Sequence, residues 1–159
     1  MSDLEYPGCI RELYESEILG EEISLALLKE AKSERDAYHI GTLLQLETET
    51  KARLRPFLFK YGISLDEEAD AGDLADLVSA YKAMNWQEFA GLHKEPVHGF
   101  LSRFEEIVGV TPPEDKPIVE SMVDHEAAIL RWVTLESEGP REDSLDAMIS
   151  QLKFPLIAP

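Results

Sequence analysis

The stretch Ile118 to Glu136, IVESMVDHEAAILRWVTLE, decides the fold. Its apolar residues Val119, Met122, Ile129 and Val133 return at helical spacing, which predicts a helix with one face turned to a core. That face also carries a carboxylate, Glu126. A desolvated carboxylate is costly unless it is protonated, paired or bound to a cation. Glu126 therefore requires a partner from elsewhere in the chain.

Working outward, apolar residues at the same period predict a long helix from about Pro7 to Lys32, with Leu13, Ile18, Ile23 and Leu27 inward. Ser33 with Asp36 reads as an N-cap, so a second helix follows at once and runs to Tyr61, where Gly62 supplies a left-handed stop. Pro56 predicts a kink near its end. The segment GISLDEEADAG, Gly62 to Gly72, reads as an exposed connection, and Asp73 as the cap of a short helix over 74–84. Asn85 breaks that pattern. Trp86 to Val108 forms a third long helix, bent at Pro96 and stopped by Gly109 and the cluster Thr111, Pro112, Pro113. Asp115 and Pro117 open the fourth helix, Gly139 and Pro140 close it, and a short helix at Leu145 to Leu152 precedes the apolar tail KFPLIAP. That tail is expected to pack on the body or on a neighbouring subunit.

No strand-like alternation occurs, so the fold class is all-α, a single domain over residues 1–159. An antiparallel four-helix bundle is the economical packing. Helices one and two, and three and four, form hairpins, while about 24 residues separate Tyr61 from Trp86, enough to cross the bundle.

Two further helices carry inward carboxylates. Leu13, Glu17, Gly20, Ser24 and Leu27 share one line on helix one, and Leu43, Glu47, Thr50, Leu54 and Phe57 one on helix two. Antiparallel packing can bring Glu17, Glu47 and Glu126 to one level. Two carboxylates about 4 Å apart repel by roughly 4 kcal/mol at an effective dielectric near 20. Three of them must share protons, pair with Arg53 or Arg131, or hold a metal ion.

The chain at this point resembles the ferritin-like superfamily, and the phrases EILGEEI and DHEAAILRWVTLE look like those of small bacterial members. The resemblance covers the four long helices and implies a ferritin-like bundle with a long crossover between helices two and three. The family's di-iron pattern takes one Glu from each of two helices and Glu-x-x-His from each of the other two. By position, Glu17, Glu47 and Glu126 match ligands of the first, second and fourth helices. Thr50 and Ile129 stand where the pattern has histidine. On helix three His93, in line with Trp86, Phe89 and Phe100, is the nearest ligand type. His125 adjoins Glu126 but is expected to point about 100° away around the helix. The metal candidates are thus Glu17, Glu47, Glu126, His125 and His93, with iron or manganese as the cofactor. Glu95 and His98 match Glu-x-x-His literally but fall toward solvent. His39 reads as a surface or capping residue, and Trp86 and Trp132 as core aromatics able to flank a ligand cavity.

Composition narrows the partners. Fifteen Lys plus Arg against 32 Asp plus Glu leave a net charge of −17, which disfavours nucleic acid and anionic membrane surfaces. A lone cysteine, Cys9, excludes an intramolecular disulfide and a thiolate cluster, and suits a reducing cytoplasm; it reads as a small buried hydrophobe. No basic leader or long uncharged apolar run is present, and no phosphate loop or nucleophile elbow occurs. Two functions remain. One is a carboxylate metal site for oxidation, hydroxylation or metal handling. The other is a non-catalytic scaffold with a decayed site, active in self-association as a homodimer or in holding a small apolar molecule.

Overall fold

A computed structural model describes residues 6–68, 72 and 74–159. The order is α1 (Tyr6–Leu28), α2 (Glu34–Lys60), α3 (Leu74–Ala83), α4 (Trp86–Leu92), α5 (Lys94–Val110), α6 (Lys116–Glu138) and α7 (Asp146–Ile149). No strand occurs among the described residues. The protein is all-helical.

α1 packs along α2, and α5 with α4 along α6, while α2 against α6 joins the two pairs. The joint between α1 and α2 is tight because Ser33 Oγ accepts from the Asp36 backbone N–H, as the sequence predicts. α1 ends at Leu28 and not near Lys32. The chain leaves the helix so that the Lys32 backbone N–H reaches Tyr81 Oη and Lys32 Nζ the carbonyls of Tyr81 and Met84.

At the other end of the hairpin Gly62 takes φ 63°, the Ile63 N–H bonds Leu58 O at 2.8 Å and the Gly62 N–H bonds Phe59 O at 3.2 Å. This double bond satisfies the last carbonyls of α2, and Ile63 packs back on the core beside Leu58. α2 remains one helix through Pro56. The connection after Gly62 is exposed, but it is pinned: Tyr14 Oη donates to Glu67 Oε1, Lys51 Nζ to Glu67 Oε2, and Arg11 Nη1 to Ser64 O. Asp73, read as a cap, lies outside the described residues.

The expected third helix is two helices. Pro96 offers no N–H to Leu92 O and its ring crowds that carbonyl, so the helix breaks at His93 and resumes at Lys94. The effect is larger than the bend expected. Asn85 is more than a break, since its side chain accepts from the Glu88 N–H and Glu88 returns the bond, a capping box that starts α4. Gly109 does not stop α5, which continues to Val110. α7 is a single turn, shorter than the helix expected over Leu145 to Leu152. The tail lies partly on α2, with Lys153 and Phe154 N–H bonding Glu49 and Leu156 over Gly41, while Phe154 and Ile157 stay exposed.

The core has an end built on Leu13, Tyr14, Leu54, Leu58, Phe104 and Met122, with Cys9 buried in it. A second cluster gathers Leu46, Ile129, Trp132, Val133 and Met148, and a third Leu27, Ile40, Tyr81 and Phe89. On α2 and α6 the glutamates of interest fall between the first cluster and the other two, and on α1 Glu17 lies near the first cluster's end, beside Ile18. No helix among the described residues is long and apolar enough to cross a membrane.

Candidate metal centre and cavity

Glu17 on α1, Glu47 on α2 and His125 on α6 meet inside the bundle, with ligand atoms all within 4.8 Å of one another. His125 Nε2 lies 3.3 Å from Glu17 Oε2, 3.4 Å from Glu47 Oε2 and 3.9 Å from Glu126 Oε2. All four side chains are buried. Glu17 and Glu47 converge as their spacing predicts, and Glu126 lies beside them, outside the group of mutually close ligand atoms. The expectation that His125 points away is corrected. A 100° offset between neighbours lets two long side chains approach one point from either flank, and the site sits between the directions of His125 and Glu126.

Local sequence makes the convergence possible. A Cβ on Gly20 would fall 2.4 Å from Glu47 Cδ and 2.5 and 2.7 Å from its oxygens, so the glycine leaves the space that the Glu47 carboxylate fills. Thr50, one turn beyond Glu47, places Oγ1 3.1 Å from His125 Nδ1. When Nδ1 carries the proton, it donates a hydrogen bond to Thr50 Oγ1 and the Nε2 lone pair faces the carboxylates.

Burial, then repulsion from Glu47 and then from Glu126, pushes the Glu17 carboxyl well above the usual carboxylate range. Burial, followed by repulsion from Glu47, does the same to Glu126. Among the described residues neither Arg53 nor Arg131 makes an ion pair with any of the three, so the expected arginine compensation is not found; the Arg53 guanidinium instead approaches Thr50 Oγ1 at 3.5 Å. Glu17 Oε2 and His125 Nε2 are buried without a hydrogen bond. Buried polar atoms left in this state carry a desolvation cost that a cation between them removes. The donor set of two carboxylates and one imidazole, with Glu126 beside it 3.9 Å from His125 Nε2 but outside that group, has the chemistry that iron or manganese takes.

The remaining candidates lie elsewhere. His93 is not part of the cluster: its Nδ1 is 2.9 Å from Phe89 O, its ring stands edge-on to Phe89, and it walls a cavity. Glu95 and His98 are exposed, as expected. The cavity, of about 150 Å³, is bordered by Glu17, Glu47 and Glu126 and continues between Trp86, Phe89, Trp132 and Val97. Trp86 and Trp132 therefore do flank a cavity.

Behind the indoles lies a polar network that the sequence reading missed. His39 is buried, not superficial, and its Nδ1 accepts the Trp132 Nε1–H at 2.9 Å. Glu136, fully buried, accepts from Trp86 Nε1 at 2.6 Å, Arg35 Nη2 at 2.8 Å and Ser144 Oγ at 2.5 Å. Burial, reinforced by the charge of Arg35, lowers His39 from 6.5 to about 4. Comparison with family models, with curated proteins and with solved structures gives no match for this chain.

Proposed function

We propose that this protein is a ferritin-like helical bundle that binds one iron or manganese ion through Glu17, Glu47, Glu126 and His125, and that the ion serves oxidation or hydroxylation of a small molecule. The observation that carries this reading is the pair of buried, unbonded atoms Glu17 Oε2 and His125 Nε2, 3.3 Å apart among further carboxylates. The ferritin-like assignment is supported by two antiparallel hairpins and the long segment between α2 and the α4–α5 pair that joins them. When bound, such an ion supplies Lewis-acid and one-electron redox chemistry. The chain's own groups have separate tasks: Thr50 holds the far side of the His125 ring at Nδ1, Gly20 admits Glu47, and the apolar wall lines the approach to the carboxylates.

Thr50 and Ile129, where the di-iron pattern has histidine, favour a competing reading in which the carboxyls stay protonated and the bundle is a non-catalytic scaffold. One measurement separates the two. Protein produced with iron or manganese supplementation and purified without chelator is expected to carry about one ion per chain by elemental analysis. Far less than one ion under both supplements would leave the scaffold reading.

A further inference from the structure

We propose that the cavity beside the carboxylates is a binding site for a small, uncharged aromatic molecule of about the size of toluene. This deepens the reading above by naming a substrate class, and depends on that reading only for the guest's being turned over; occupancy rests on the cavity alone.

Size is the first argument. A cavity of about 150 Å³ with a largely apolar lining has the volume at which an apolar cavity admits one benzene ring. Shape and chemistry follow from the wall. Trp86, Phe89 and Trp132 stand at ring-centroid separations of 6.1 to 6.4 Å from one another where they pair, and His93 is edge-on to Phe89 at 4.6 Å. Such tilted and edge-to-face rings accept another ring by the same geometry. Both indole donors are already satisfied behind the wall, Trp132 Nε1–H by His39 Nδ1 and Trp86 Nε1–H by Glu136 Oε2, so the wall itself offers a guest no free indole donor. The polar end consists of Glu17, Glu47 and Glu126, which repel an anion, and the ion proposed there repels an organic cation.

An entrance is also present. The break at His93 separates α4 from α5, and the lining residues just beyond it on α5, Pro96 and Phe100, are exposed, while the lining also includes partly exposed Leu19 and Ile23 of α1. A guest can therefore enter between α1 and the α4–α5 junction without unfolding a helix.

The protein's two tryptophans both line the cavity, so intrinsic fluorescence reports occupancy directly. Metal-free full-length protein is titrated with toluene, benzylamine and benzoate. Saturable change with toluene is expected, with benzoate weaker by about tenfold or more in the metal-free protein and benzylamine weaker by as much once Mn²⁺ is added. Ala90→Leu, from the α4 wall, and Ile23→Phe, from the opposite wall, each fill space and should weaken toluene by about tenfold while metal uptake stays as in the parent. Absence of saturation with toluene overturns the proposal, as does toluene binding untouched by either folded filling variant. Benzylamine binding tighter than toluene in the Mn²⁺-loaded protein overturns it in favour of an organic-cation site. Toluene saturation in a protein that takes up no metal upholds the cavity and refutes the metal reading; metal uptake without toluene binding does the reverse.

Discussion

Gly20→Ala tests the centre with the smallest possible change. The added methyl would lie 2.4 Å from Glu47 Cδ, well inside van der Waals contact, and the displaced group is the end of a flexible side chain. Glu47 is therefore expected to swing out while α1 and α2 keep their packing. In the metal-free protein two terms oppose each other. Alanine favours the helix by about 1 kcal/mol over glycine, and crowding costs about 1–3 kcal/mol, at the low end because the carboxylate can move. Metal-free stability should then change by less than about 1 kcal/mol. Metal binding should respond far more. At an ion concentration of about 100 Kd the parent gains about 2.7 kcal/mol, which for a chain of this size raises Tm by about 5–10 °C. A variant without Glu47 that binds about 100-fold more weakly gains only about 0.4 kcal/mol under the same conditions, a rise of about 1 °C. Thermal melts with and without Mn²⁺ or anaerobic Fe²⁺ read both numbers. A Gly20→Ala protein with the parent's metal-induced rise would refute the role given to Glu47. No rise in either protein would refute the centre itself.

Glu126→Leu removes a desolvated carboxyl from the cavity edge; the metal-free melting temperature should stay level or rise, and the metal-induced increment should shrink. Thr50→Val keeps the shape but removes the Nδ1 partner of His125, and metal titration should show about 10- to 100-fold weaker binding with the metal-free fold intact. His39 supplies a pH dependence. Its folded value of about 4 lies below the unfolded 6.5, so the unfolded chain binds the extra proton between these values and stability is lost as pH falls through the window. The groups facing it are Arg35, Asp36 and Glu136, with Trp132 donating to its ring. The raised carboxyls of Glu17 and Glu126 act with opposite sign, losing stability as pH rises, so the comparison is made by difference. Urea melts at pH 7 and pH 4 should show the parent losing about 2–3 kcal/mol more than His39→Asn; equal losses would contradict a buried neutral imidazole.

The parts legible in the sequence are those whose physics is local. Ser33 and Asp36 sit three residues apart and announce a cap, Gly62 announces a left-handed stop, and Glu17, Glu47 and Glu126 interrupt apolar lines on their own helices. What the sequence hid depends on partners brought together by folding. Arg35 and Glu136 are 101 residues apart, and nothing in either neighbourhood marks one as the other's counter-ion. Asp115 has the residue type and position of an N-cap, yet its carboxylate makes no cap bond because Lys60 and Tyr61 of the other hairpin claim it. His39 looks superficial beside Tyr38 until α6 lays Trp132 over it.

His125 shows why helical periodicity has a limit even where it works. Treating each helix as having one inward line assigns Glu126 to the interior and its neighbour to the side, which is right for a site that touches one helix. A site built by three helices has width, and a residue on the flank of its helix can aim at the seam with the next. His125 does this, reaching Glu17 and Glu47 across two interfaces while Thr50 holds the far side of its ring. The apolar line finds carboxylates that need a partner, but the partner is found on the seam, one residue off that line. A buried glutamate on a predicted helix should therefore direct attention to the titratable residues immediately before and after its counterparts, as well as to those three and four away.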